Sequence, residues 1–342
     1  MDAKKTLTTI FCGSAFGMAL TAAGMHRPEV ILSQLTLRNF HMLESFLSAA
    51  AGSTAVVTLL QHFKLISMTP RPYSSIGLFG NMDGNIVGGL IQGLGMALAG
   101  SCSGTVFAQV GAGIESGLYT LSGLVIGGIL WTGVLQPFLS SRAAGSKKEP
   151  ASSASIDKRF GTSELGTVAA IEFVFISIVV VAVAAHADTS RGLVHPVVGG
   201  LLIAASQLLS ATVRKVLLGT STAFEEVGKC FWSVTRGEKG SAGSLSYINV
   251  LFVSGMTLGA RIISSWHPVA PEMSSAEFNH LRVVVGGVLL AIGSRMAGGC
   301  TSGHGISGTS LLSVSSFVTV AAMFGGAIGT ALTLYGAPWS SQ

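Results

Sequence analysis

The sequence predicts an all-α integral membrane protein of about nine transmembrane helices plus short re-entrant helices, folded as two pseudo-symmetric, inverted halves. Three observations carry that prediction. Composition is the first: 49% of the 342 residues are hydrophobic and only 10% are charged, against roughly 25% charged in an ordinary soluble domain. The second is an internal repeat. Gly88-Gly89-Leu90-Ile91-Gln92-Gly93-Leu94-Gly95-Met96-Ala97-Leu98-Ala99-Gly100-Ser101-Cys102 lies without a gap over the stretch from Gly286 to Cys300, six of fifteen positions being identical. The same offset of 198 residues pairs Gly127-Gly128 with Gly325-Gly326. Self-similarity over half a chain marks a duplicated membrane fold, whose substrate site lies where the halves meet. The third observation is where the charges fall: Lys and Arg cluster between the apolar stretches, which reads as membrane topology and not as a nucleic-acid surface, despite a net charge of +5.

Nine apolar stretches are long enough to cross a hydrocarbon core of roughly 30 Å. They lie near 7–25, 42–62, 84–100, 117–136, 165–185, 194–210, 246–265, 282–298 and 316–335. The first is rich in Thr, Ser and Gly and follows Lys4-Lys5, as a signal peptide would. No cleavage pattern follows it, so it reads as part of the mature fold. Short Gly/Ser-rich pieces at 101–115, 211–224 and 300–314 read as half-helices or re-entrant loops, tolerated at membrane depth only where they line a cavity or are buried in protein. Residues 137–164, with Pro150 amid Ser, Ala and Lys, read as a flexible cytoplasmic linker. It divides a first membrane repeat, 1–136, from a second, 165–342. Forty-five glycines suit helices that approach closely.

With the N-terminus in the cytoplasm, fourteen Lys and Arg fall inside, including Lys64, Arg71, Arg142, Lys147, Lys148, Arg214 and Lys239. Only Arg27, Arg38 and Arg191 fall outside. That bias predicts N-in, C-out. Five spans then separate the helices that carry Cys102 and Cys300, so those helices point oppositely and the halves are inverted. The chain is expected as a multi-pass protein of the plasma membrane, the inner membrane of a bacterium, with the lipid bilayer as its solvent.

Four cysteines without paired spacing give no disulfide framework. Two of them end apolar helices at equivalent places in the repeat, each followed by a glycine-rich break: Cys102-Ser103-Gly104-Thr105 and Cys300-Thr301-Ser302-Gly303-His304-Gly305. Glycine permits the tight turn, and the next short helix offers free N–H groups and the positive end of its dipole. A thiol there is a soft, weak donor, which suits a sulfur-containing anion better than a hard cation. The plain alternative is that a buried Cys is a small hydrophobe; the repetition weighs against it for Cys102 and Cys300, while Cys230, between Lys229 and Phe231, keeps it. His304 stands four residues after Cys300, a spacing that would also serve a soft metal. The other half has no histidine at the matching place and the motifs have no carboxylates, so no metal and no cofactor are expected. The imidazole is read as a donor to an anion or as help in titrating a thiol. Arg295, inside a span, is either functional, or snorkelling or paired with a backbone carbonyl; Glu172 and Arg261 share that ambiguity.

These motifs resemble the YeeE/YedE family of sulfur-compound transporters. The resemblance rests on Gly95-Met96-Ala97-Leu98-Ala99-Gly100-Ser101-Cys102-Ser103-Gly104-Thr105, on Met296-Ala297-Gly298-Gly299-Cys300-Thr301-Ser302-Gly303-His304-Gly305, and on the opening stretch from Phe16 to Met25. Gly219-Thr220-Ser221-Thr222-Ala223-Phe224 is similar to the family's third re-entrant segment. The family implies nine transmembrane helices, four loops converging on a constricted centre, and thiosulfate passed along a row of thiols by S–H contacts with its terminal sulfur. Cys102 and Cys300 match two of those thiols, and Cys12 is placed as an outer third, although it precedes the Phe16–Met25 stretch. The resemblance implies a binding and relay set of Cys102, Cys300, Cys12, Ser103, Gly104, Thr105, Thr301, Gly303, His304, Thr220 and Ser221.

The physics agrees. A divalent anion entering a low-dielectric constriction loses hydration that fixed donors must replace, and conduction needs binding weak enough for release. The expected substrate is thiosulfate or a related sulfur anion, with sulfite, sulfide, a persulfide carrier or a selenium oxyanion as alternatives. No enzyme activity and no nucleic-acid partner are expected, and the coupling ion is unread, which leaves a place for a cytoplasmic sulfur-accepting protein. A second class of reading is a membrane sulfurtransferase, with Cys300 taking sulfane sulfur and His304 as base. A third is a structural or redox-sensing protein whose uptake is indifferent to its cysteines.

Overall fold

Why the chain is helical follows from its apolar runs, which must satisfy their own backbone groups inside a bilayer. A computed structural model describes residues 3–143, 155–185, 192–237, 246–268 and 279–336. Pro150, Lys147, Lys148, Arg191 and Lys239, on which the linker and charge readings partly rest, lie outside the described residues. In chain order the helices are α1 (Ala3–Ala22), α2 (Pro28–Leu35), α3 (His41–His62), α4 (Asp83–Ala99), α5 (Thr105–Ala112) and α6 (Glu115–Leu130). The last runs through a π turn, Trp131–Leu135, into α7 (Gln136–Ala143). Then follow α8 (Ile156–Phe160), α9 (Glu164–Ala185), α10 (Pro196–Leu209, extended by a π turn to Arg214), α11 (Thr222–Thr235), α12 (Ile248–Trp266), α13 (His280–Met296) and α14 (Val314–Tyr335). No strand occurs among the described residues; one isolated antiparallel bridge joins Ser155 to Ser313.

Each of the nine predicted stretches lies over one long helix, α1, α3, α4, α6, α9, α10, α12, α13 or α14. Six described segments are long and apolar enough to cross a membrane: His41–His62, Glu115–Ser141, Glu164–Ala185, Pro196–Arg214, Ile248–Trp266 and Val314–Tyr335. The other three, α1, α4 and α13, are short or carry many small and polar residues. α1 and α13 expose Leu7, Phe11, Leu281 and Val285, while α4, packed between α13 and α14, buries most of its length. α9 is the opposite case. Apart from Glu172 its span is apolar all round, exposes Phe173, Val174, Ile176, Val180 and Val181, and buries only Thr167 and Ala182.

Glycines set the central seam. A side chain at Gly88 would come within 2.5 Å of the Ala297 nitrogen, and one at Gly95 within 2.7 Å of the Gly286 carbonyl. Rising numbers on α4 thus meet falling numbers on α13, and the two helices pack antiparallel with their backbones nearly touching, as small residues allow. Around that seam the packing comes in matched pairs. α4 lies parallel to α14, Gly93 against Met323 and Ala327, while α13 lies parallel to α6, Gly123 against Val284 and Gly127 against Val288. α1 lies parallel to α12, Gly13 against Phe252 and Gly17 against Met256; α10 lies parallel to α3, Gly200 against Ser45 and Ser48. α9 packs on α3 and stands outside this pairing.

Candidate functional site

The site is built at the ends of the two seam helices. α4 stops at Gly100 with φ +58°, and α13 is followed by Gly298 with φ +82°, the left-handed region that glycine enters without a Cβ penalty. Two residues after each glycine comes a cysteine, and each cysteine's carbonyl starts a new helical turn. The Cys102 carbonyl accepts the Val106 N–H at 3.1 Å, and the Cys300 carbonyl accepts the His304 N–H at 2.7 Å. α5 grows from the first, and a π turn, Gly303–Gly308, from the second.

Both thiols are buried, and hydroxyls and amides hold them. The Thr105 N–H and the Thr105 hydroxyl both lie 3.3 Å from the Cys102 Sγ, and the same hydroxyl accepts the Cys102 N–H at 2.8 Å. Cys300 is held from another loop. The Thr220 N–H donates to its Sγ at 3.4 Å, while the Thr220 Oγ1 and Ser302 Oγ each stand 3.3 Å from that sulfur. Thr220 also donates its hydroxyl to the Ser103 carbonyl at 3.0 Å. One residue thereby ties the loop 215–221 to both cysteine loops. Gly104 marks the common centre: Ser302 Oγ, Cys102 Sγ and Thr220 Oγ1 lie 3.7 to 3.8 Å from where its Cβ would be. On the same turn the Ser103 Oγ is buried without a hydrogen-bond partner, at a cost of about 1–3 kcal/mol for an unmet polar group.

Other members of the sequence-derived set stand behind this centre. Thr301 turns its hydroxyl toward the sulfurs of Met323, at 3.3 Å, and Met96, at 3.9 Å, and accepts from Gln92 at 3.2 Å. Ser221 is the buried N-cap residue of α11 and makes no side-chain capping bond. His304 is a clamp. Its Nε2 faces the Ala297 carbonyl at 3.1 Å, so that nitrogen carries the proton, and its Nδ1 accepts from the Ser316 hydroxyl at 2.9 Å. Both nitrogens are engaged by protein, which leaves neither to act as a base on Cys300. Cys12 sits inside α1, buried and beside the α1–α12 packing, where Gly13 meets Phe252 and the Arg214 guanidinium lies 4.3 Å above the Phe252 ring.

Two features were not legible as site chemistry. Glu225 on α11 bonds Arg295 of α13, and Lys229 bonds the same carboxylate at 2.5 Å. Arg295 is therefore an ion-paired residue, and an acidic group from outside the motifs lies next to the helix that leads to Cys300. In the sequence Arg71 reads only as a loop charge. It reaches loop 297–302, donates from Nη1 to the Gly298 carbonyl at 3.1 Å, and lies against Gly303, Gly219 and Gly299. The sequence signal was Pro70-Arg71-Pro72: a following proline forces its predecessor into extended backbone, which presents a side chain at little entropic cost.

The family described as sulphur transport matches residues 23–329, nearly the whole chain. A protein named "Probable transporter" from Xylella fastidiosa strain 9a5c is 28% identical over 127 residues, which cover 37% of this chain and 84% of that protein. Its namesake from strain Temecula1 / ATCC 700964 has the same identity and coverage. An aligned stretch that fills most of such a relative yet little more than a third of this chain makes the relative less than half as long.

Proposed function

The chain belongs to the sulphur-transport family, and from that premise we propose that it carries thiosulfate through a central path lined by Cys102, Cys300 and the hydroxyls around them. It is a multi-pass membrane protein. The observation that carries the finer reading is the Thr220 bridge, which gathers both thiols and the Ser103 carbonyl about the side-chain-free Gly104. Such a centre offers soft S–H contacts for a sulfane sulfur, and O–H and N–H donors for oxygens, without a carboxylate to repel the ion.

The two halves are proposed to be inverted repeats, α1, α3, α4 and α6 answering to α10, α12, α13 and α14, with α9 as the odd helix between them. The antiparallel seam and its matched parallel pairs support this arrangement, and so do relatives less than half as long. The site then lies on the pseudo-two-fold axis, where repeat transporters bind their substrates. The test is uptake of labelled thiosulfate by cells lacking their own sulfate and thiosulfate systems, with and without this chain. No chain-dependent uptake of thiosulfate, with uptake of another sulfur species, moves the substrate assignment; no uptake of any removes it.

A further inference from the structure

The repeat breaks at one position beside each sulfur. Residue 105 is Thr and its partner, three residues after Cys300, is Gly303. Where Thr105 supplies a hydroxyl to Cys102, Gly303 has no side chain to offer Cys300, and the space is filled from outside the motif. A Cβ on Gly303 would stand 3.5 Å from the Cys300 Sγ and 3.2 Å from the Nη2 of Arg71. Gly219 and Gly299 leave room for the same guanidinium, at 3.8 and 2.9 Å from their missing side chains. Three glycines from two loops thus form its cradle.

Arg71 is held there from its backbone. Ser313 and Ser315 donate to its carbonyl at 3.1 and 3.0 Å, and three residues on, Ser74 donates to the Met296 carbonyl at 2.6 Å. Its charge is less well met. Among the described residues the guanidinium bonds one carbonyl, that of Gly298, and pairs with no carboxylate. Arg295, by contrast, has Glu225. A guanidinium has five N–H donors in a planar fork that matches an oxyanion two bonds at a time. A half-buried one with a single carbonyl for company has donors left over.

We propose that Arg71 is a substrate-binding residue: its guanidinium holds the sulfonate oxygens of the anion while Cys300 meets the terminal sulfur. This rests on the thiosulfate reading above and adds to it a charged group and a direction, the oxygens facing the α3–α4 connector. At the opposite sulfur, Cys102, Thr105 occupies the equivalent space with its hydroxyl.

The test uses the full chain with Arg71→Gln and Arg71→Lys. The expected result is a rise of about tenfold or more in the thiosulfate concentration for half-maximal uptake with Arg71→Gln, each factor of ten being the loss of one charge-assisted contact's worth of affinity. Arg71→Lys, which keeps charge but loses the fork, recovers part of it. Wild-type half-saturation in Arg71→Gln overturns the assignment, and if that variant does not fold, wild-type half-saturation in Arg71→Lys does so. Failure of the thiosulfate reading is recognised separately, by wild-type protein that takes up none. The assignment is then read from thermal unfolding of purified protein with sodium sulfite, sulfate or thiosulfate. Stabilisation of wild type by one of these, lost in the variant, sustains an oxyanion site at Arg71; retained stabilisation, or none in wild type, overturns it.

Discussion

Thr220 and Cys300 share one proton direction. The Thr220 hydroxyl gives its hydrogen to the Ser103 carbonyl at 3.0 Å, so toward the Cys300 Sγ, 3.3 Å away, it is left as an acceptor. The Cys300 thiol therefore points its own hydrogen at Thr220 or at Ser302, while the Thr220 N–H donates to the sulfur at 3.4 Å. A loop far from either cysteine in sequence sets the orientation of the soft donor.

Thr220→Val keeps the shape and removes the hydroxyl. The bridge to Ser103 is lost and its carbonyl is left unmet, so thiosulfate uptake is expected to fall by about tenfold or more, at 1.4 kcal/mol per factor of ten. Thr220→Ser, which keeps the oxygen, is expected to stay within about threefold of wild type. Uptake measured at matched membrane abundance checks both, and equal rates in the two variants would remove the hydroxyl from the mechanism.

Cys300→Ser and Cys102→Ser retain a small donor but lose the polarisable sulfur. Each is expected to lower uptake by at least about tenfold, whereas Cys230→Ser, near the Tyr247 hydroxyl at 3.8 Å and away from the seam, leaves it unchanged. If all three variants transport alike, the buried cysteines are packing residues.

The glycine seam predicts a stability pattern. Ala at Gly93 places a Cβ 2.1 Å from the Met323 carbonyl of α14, and Ala at Gly287 places one 2.3 Å from the Thr120 carbonyl of α6. Backbone cannot rotate away as a side chain can, so each change parts a helix pair and costs about 1–3 kcal/mol. Gly329→Ala, with nothing within 4 Å, is expected to be silent. Unfolding temperatures in detergent would rank them, and a neutral Gly93→Ala would refute the close backbone approach.

What was legible in the sequence was whatever repeats or persists locally. Apolar runs located the long helices, and Gly100 with Cys102 and Gly298 with Cys300 located the two loop ends, because a left-handed glycine and a cysteine recur at a fixed offset. α1, α4 and α13 were located by the same apolar runs, although they are short or rich in small and polar residues. Contacts between distant segments carry no local signature. Nothing in Glu225 or Arg295 announces that α11 brings them together, and nothing but two prolines distinguishes Arg71 from the other loop charges. His304 looked chemically free because a motif does not show that Ser316 and the Ala297 carbonyl occupy its two nitrogens.

The Glu225–Arg295 pair gives an ordering that depends on the third member. Glu225→Gln strands Arg295, whose Nε already lacks a partner, in a site where the two side chains are 10% and 18% exposed. Arg295→Met leaves Glu225 still bonded to Lys229. Glu225→Gln is therefore expected to be the more destabilising, by about 1–3 kcal/mol, and the double variant Glu225→Leu, Arg295→Leu milder than Glu225→Gln, since no buried charge is stranded. Thermal unfolding of the four proteins decides the order; a greater loss in Arg295→Met would show that Lys229 does not hold the carboxylate.

The last prediction separates charge from softness. Sulfate has the double charge and tetrahedral shape of thiosulfate, but an oxygen in place of its terminal sulfur. If the guanidinium of Arg71 read the anion alone, the two would compete equally. With Cys102 and Cys300 also reading the terminal atom, weak S–H contacts favour a large polarisable sulfur over a strongly hydrated oxygen, which must shed its water on entry. Sulfate is expected to need a concentration at least about tenfold above that of thiosulfate to halve uptake of the labelled ligand, the size of one lost contact. In Cys300→Ser that preference shrinks, because a hydroxyl serves oxygen as well as sulfur. Competition curves on wild type and Cys300→Ser measure both, and equal potency of sulfate and thiosulfate on wild type would leave charge as the whole of the recognition.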